Sequence, residues 1–175
     1  MELEKYLNEH KDIKLAFQPG TFQMKFGKDK LSGLYMRTDV FICNTEEARR
    51  ILKSEEQDAK KLMQMIAKLG PKIIVITDGP KGAYAHNVAS ADFWFMPPYP
   101  DPKPPYERTG AGDAFSSTFV SALALGKEIP EALSWAPINS MSVVQYVGAR
   151  EGLLSLDQLQ EYLKKAPAGY EAKKI

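Results

Sequence analysis

The run Lys72-Ile73-Ile74-Val75-Ile76-Thr77 constrains the fold more than any other stretch of this chain. A β-strand turns successive side chains to opposite faces, so an unbroken apolar run has to bury both. Burial on both faces is the mark of a strand in a parallel sheet flanked by helices. Gly70-Pro71 punctuates the chain before it, and Asp78-Gly79-Pro80-Lys81-Gly82 reads as a turn after it.

The segments around this strand alternate between the two regular periods. Ile13–Gln18 and Asp39–Cys43 read as short buried strands. Met1–His10 reads as the end of a helix with Leu3, Tyr6 and Leu7 on one face, and a short helix is expected near Lys28–Tyr35. A helix runs from Asn44-Thr45-Glu46-Glu47 to about Leu52. Another spans Glu55–Leu69, with Ala59, Leu62, Met63, Ile66 and Leu69 as its apolar face. Ala83–Asn87 and Asp92–Met96 read as antiparallel edge strands. Pro97–Pro105 is proline-rich and should be a stiff extended connector, with recognition by an SH3-like partner as the alternative. A helix then extends to Gly126. A second spans about Pro130–Val147, with Pro137 expected to break or kink it, and a third follows the N-cap candidate Ser155 to about Lys165. This alternation predicts a layered α/β fold with a mainly parallel sheet and a single domain over residues 1–175.

Composition narrows the function classes. With 44% hydrophobic and 26% charged residues, the chain can bury a sizeable core. Its 23 basic and 22 acidic residues are mixed along the sequence, so no nucleic-acid footprint or membrane-binding basic face is expected. No apolar run reaches spanning length, and the first residues do not look like a signal peptide. Cys43 stands alone, which makes a reduced, cytoplasmic setting the default. His10 and His86 form no zinc or triad spacing with it, and the scattered methionines read as core filler.

Chemistry is concentrated in Arg108-Thr109-Gly110-Ala111-Gly112-Asp113-Ala114-Phe115, where a glycine-rich turn feeds a helix with Phe115, Phe119, Ala122 and Leu123 on one face. Helix-start amides lack carbonyl partners and the helix dipole adds positive charge, which suits phosphate or a developing oxyanion. Asp113 beside them is placed to take a proton from a hydroxyl; the alternative is an Asp that merely complements the dipole. Asn44 and Glu47 either hold a hydrated Mg²⁺ at a strand end or form a helix-capping box. Thr77–Gly82 either lines a ligand or only connects two strands. Asn139, inside a helical pattern, is either a ligand contact or a helix-surface residue.

Thr109–Phe115 closely resembles the C-terminal signature of the ribokinase-like (PfkB) carbohydrate kinases, and the rest of the chain can be laid along that family's C-terminal half. The resemblance implies a three-layer αβα ribokinase-like (Rossmann-like) fold. It implies transfer of the ATP γ-phosphoryl group to a sugar or nucleoside hydroxyl, aided by Mg²⁺. By the same resemblance, the Gly110-Ala111-Gly112 backbone is the anion hole and Asp113 the base. Asn44 and Glu47 match an Asn-x-x-Glu motif that handles Mg²⁺ and phosphate. Thr77, Gly79 and Gly82 match a loop along the nucleotide's ribose and phosphates, while Asn139 and Gly148-Ala149 fall where the adenine pocket closes.

Two departures stand out. Many family members carry Asp-Thr-Thr where this chain has Glu107-Arg108-Thr109, and that Asp helps to build a monovalent-cation site in some of them. Glu107 is a candidate replacement, but the fixed charge of Arg108 argues against potassium activation and makes Arg108 a candidate phosphate contact. The family's N-terminal half, with its lid and most sugar contacts, has no counterpart here. An open sheet edge is therefore expected to invite a homo-oligomer or association with a separate N-terminal half, and the acceptor pocket to lack a wall. The competing expectation is a non-catalytic nucleotide-binding or oligomerisation module derived from such a kinase.

Overall fold

The computed structural model describes residues 2–175, so Met1, the start of the expected first helix, lies outside the described residues. Among the described residues the strands are β1 (Ala16–Phe17), β2 (Val40–Asn44), β3 (Ile73–Thr77), β4 (Ala83–Asn87), β5 (Asp92–Met96) and β6 (Lys173–Lys174). They lie side by side in one sheet in chain order. Among the described residues the α-helices are α1 (Glu2–Glu9), α2 (Thr21–Phe26), α3 (Ser32–Arg37), α4 (Thr45–Leu52), α5 (Ala59–Ala67), α6 (Ala111–Ala124), α7 (Ile129–Val143) and α8 (Leu156–Lys164). The chain divides into two compact units: one runs up to Asp78 and takes in Tyr84–Phe93, and the other comprises Gly79–Ala83 and Trp94–Ile175.

In the first unit, β1, β2 and β3 are parallel, with Val40 opposite Ile73 and Asn44 opposite Thr77. Ile74, Val75 and Ile76 are all fully buried, so β3 is covered on both faces, as its apolar run requires. One face packs Phe41, Ile74 and Ile76 with Ala48, Leu62, Met63 and Ile66 into a single core. At the other end of the strands, Arg37 donates to the carbonyls of Leu7, His10, Lys11 and Ile13. The Asp39 carboxylate accepts from Leu15 N–H at 3.0 Å and from Lys72 Nζ at 2.7 Å. These bonds tie the chain before β1 to β2 and β3.

Several sequence boundaries move for local reasons. The helix expected over Glu55–Leu69 starts only at Ala59, because Asp58 caps it and the Glu56 carboxylate takes the N–H groups of Gln57 and Asp58. The helix near Lys28–Tyr35 is shifted to α3, and α2 was not expected. In α1 only Leu7 is buried; Leu3 and Tyr6 are half exposed. β4 and β5 form with the expected bounds, but neither is an edge strand: β4 lies between β3 and β5, and β6 pairs antiparallel with β5.

In the second unit α6 packs on α7, burying Phe115, Phe119 and Ala122 on one helix and Leu133, Ala136 and Ile138 on the other. α7 runs unbroken through the buried Pro137. The proline tract carries no helix, as expected. It is anchored at Tyr99, whose ring meets Tyr162 and Tyr170 edge-on and whose hydroxyl donates to the Tyr162 carbonyl.

Candidate active site

The start of α6 has no side-chain cap, and of its first amides Ala111 N–H donates to the Arg108 carbonyl at 3.3 Å. Gly110 is its N-cap, with φ of +81°, a left-handed conformation natural to glycine. The Gly110 carbonyl accepts the first helical bond, from Ala114 N–H at 2.8 Å. No side chain caps the turn. By contrast, α4, α5 and α8 close their amides with Asn44, Asp58 and Ser155. Gly112 lies exposed in the first turn, and the carboxylate-bearing Asp113 is the third helical residue, also exposed. An unclosed helix start with small residues lets an anion approach the N–H groups, and the dipole favours it there.

The wall beside this turn comes from the segment after α7. A Cβ on Gly110 would lie 2.7 Å from Ala149 Cα, so the backbones there meet without room for a side chain. Gly148 donates its N–H to the Glu107 carboxylate. Ser140 Oγ donates to the Ala111 carbonyl at 3.0 Å, tying α7 to the same first turn. Asn139 is buried, which removes the helix-surface alternative. Its Nδ2 donates to Thr118 Oγ1 at 2.9 Å and its Oδ1 accepts from Leu154 N–H at 2.9 Å. The side chain is thus spent on joining α6, α7 and the following loop.

In the first unit, Asn44 ends β2 and Thr77 ends β3 directly opposite. Asn44 and Glu47 form a capping box: Asn44 Oδ1 accepts Glu47 N–H at 2.8 Å, and Glu47 Oε2 accepts Asn44 N–H at 2.9 Å. Thr45 Oγ1 donates to Asp78 Oδ1 at 3.1 Å, joining the two strand ends. Sequence reading missed Thr45 and Asp78, which it took as part of a cap and a turn; only their position after two strands pointed to them. Next to Asn44, burial and then the Glu47 charge push the Cys43 thiol well above its ordinary value, so it stays protonated and is no nucleophile.

Gly79 and Gly82 belong to the second unit, where Gly79–Lys81 form a single 3₁₀ turn. Gly79 has φ of +53° with open space around it. Gly82 has φ of +108°, and a Cβ there would lie 2.9 Å from the Phe95 ring, so only glycine fits. Among the described residues, no three His, Cys, Asp or Glu side chains gather into a metal cluster. No described helix is long and apolar enough to cross a membrane.

Comparison with known proteins bears on the family and the fold. The family model for the pfkB family carbohydrate kinases matches residues 3–156. A 5-dehydro-2-deoxygluconokinase from Halalkalibacterium halodurans is 23% identical over 91% of this chain and 49% of its own length. A cytidine kinase from Thermococcus kodakarensis is 28% identical over 70% of this chain and 43% of its own. The chain thus spans about half the length of the relatives it matches. Among solved structures, Arabidopsis thaliana ribokinase complexed with ribose and ATP superposes with a TM-score of 0.75 at 23% identity, over 87% of this chain and 48% of that one. At that identity the likeness shows the fold alone, and it is the ribokinase-like α/β fold. With a family model matched along most of its length, this chain belongs to the pfkB family of carbohydrate kinases.

Proposed function

We propose that the chain is the nucleotide-binding part of an ATP-dependent kinase that transfers the γ-phosphoryl group to a sugar or nucleoside hydroxyl. The observation that carries this reading is the open N-terminus of α6, with Gly110 at the cap and exposed Asp113 in the first turn, in a chain of this family. The N–H groups of Gly110–Gly112, with that of Ala111 turned from the Arg108 carbonyl, hold the negative charge that develops on the transferred phosphoryl oxygens. An Asp113 Oδ atom takes the proton from the acceptor hydroxyl. Thr77, Gly79 and Gly82 contact the nucleotide's ribose and phosphates, and Asn139 acts through the loop it holds.

The donor set of α4 fits Mg²⁺ only through water. Asn44 Oδ1 and Glu47 Oε2 are both used by the capping box, which leaves Glu47 Oε1 for a hydrated cation and Asn44 Nδ2 as a donor to phosphate or water. Mg²⁺, when bound with ATP, supplies charge neutralisation on the phosphates. The cytoplasm is the setting that fits, since ATP and Mg²⁺ are supplied there. The acceptor class follows the relatives, one of them named for a sugar-acid substrate and another for cytidine.

Titration of the purified chain with a non-hydrolysable ATP analogue and Mg²⁺ tests the reading. Binding is expected in the wild type and lost in Gly112→Asp, which places a carboxylate in the nest. Asp113→Ala should keep binding and lower phosphoryl transfer roughly a thousandfold where turnover is measurable. Equal binding by wild type and Gly112→Asp would contradict the placement of the phosphates.

A second reading, a nucleotide-binding or oligomerisation module, is favoured by one observation. β1 ends the sheet, and Phe22, Phe26 and Met36 of the first unit are 75%, 57% and 68% exposed.

A further inference from the structure

The segment that leads into α6 is stitched to the segment that leaves α7. Tyr106 N–H donates to the Val144 carbonyl at 2.8 Å, and Glu107 N–H reaches the same oxygen at 3.4 Å. Gln145 Nε2 donates to the Lys103 carbonyl at 3.3 Å. Beyond these, the Glu107 carboxylate accepts Gly148 N–H, and at Gly110 the chain meets Ala149 with no space for a Cβ. The far end of the same loop is held by Ser142 Oγ on the Gly152 carbonyl at 2.7 Å and by Asn139 Oδ1 on Leu154 N–H. Gly148 itself has φ of +96°, a Cβ there would meet nothing, and its N–H is held by Glu107 while the next residue, Ala149, meets Gly110.

We infer that Glu107 is a positioning residue for nucleotide binding: its carboxylate latches Gly148, and so holds Ala149 against Gly110 at the open start of α6. This rests on the nucleotide reading given above. With the latch, two glycines in left-handed conformations are kept in the one arrangement that presents the first-turn amides. Without it both sample other backbone states, and affinity falls by the fraction of time the turn is competent. The role belongs to the hydrogen bond and not to the charge, since a carboxylate beside an anion site opposes phosphate electrostatically.

Two substitutions separate these terms. Glu107→Gln keeps an acceptor oxygen of the same reach and removes the charge. Glu107→Ala removes both. The readouts are the dissociation constant for a non-hydrolysable ATP analogue with Mg²⁺ and the hydrogen exchange of the Gly148–Ala149 amides. Glu107→Ala is expected to bind about tenfold more weakly, with faster exchange at those amides, and Glu107→Gln to stay within about twofold of wild type. Should Glu107→Ala fail to fold, Glu107→Asp, one methylene short, takes its place with the same expectation. Wild-type affinity in the truncated variant overturns the inference, and so does a Gln variant as weak as the Ala variant. A wild-type chain that binds no nucleotide overturns the functional reading itself and this inference with it, an outcome distinct from the other two.

Discussion

At Asp39, burial and charge compete. Burial works against the carboxylate, but the hydrogen bond from Lys72, the Leu15 N–H and the charges of Lys72 and Lys14 outweigh it and hold the carboxyl below its ordinary value. A carboxyl lowered on folding stabilises the protein at pH values above its unfolded value of about 3.9. That contribution is lost as pH falls through the lower folded value. Asp39→Asn should therefore cost about 2 kcal/mol at pH 7, the scale of hydrogen bonds to a charged group. The difference from wild type should shrink as the pH falls below about 4. Chemical denaturation of both proteins across this range checks it, and a difference that stays constant down to the acid limit would contradict the argument. The same residue-level competition explains Asn139. A polar side chain in an apolar helix was legible as unusual, but sequence could not show that its partners are Thr118 and Leu154, one on a neighbouring helix and one on a loop.

Elements differ most at their beginnings. α4 and α8 carry complete capping boxes, while α2, α3, α6 and α7 have no side-chain cap, and among these α6 is the start that carries the glycine-Asp signature. Asn44→Ala should destabilise the chain by about 1 kcal/mol and Asn44→Asp by much less, because Asp can accept the same N–H bond and suits the dipole. Thermal unfolding of the two variants measures it; equal losses would mean that the cap is not the stabilising feature. The strong elements could be read in advance because local pattern and tertiary burial agree in them. β3 is apolar on both faces and is buried on both; α8 begins with Ser155 and is capped by it. α2 and β6 were missed for the opposite reason. β6 is two lysines, Lys173 and Lys174, which pair with Phe95 and Trp94 and carry no apolar pattern to mark a strand. α2 has no buried residue to set a helical period. In the candidate site, the glycine-Asp signature was legible because backbone requirements leave few residue types possible. The latch of Glu107 on Gly148 was not, since its partners lie far apart along the chain.

For the molecule as a whole, the exposed edge of β1 and the apolar side chains of the first unit predict self-association. Sedimentation velocity over a hundredfold concentration range should show a rising average mass, and Phe22→Ser with Phe26→Ser should reduce it. A monomer at every concentration would remove the association reading and leave the kinase reading untouched. The sheet itself has a further consequence, because its strands lie side by side in the order in which they occur in the chain. Each strand from β2 to β5 docks on the strand before it, through helix-bearing crossovers up to β3 and short turns from β3 to β5. For β6, the pairing of Lys174 with Trp94 joins residues far apart along the chain, so this contact closes the longest loop between neighbouring strands of the sheet and carries the largest closure entropy.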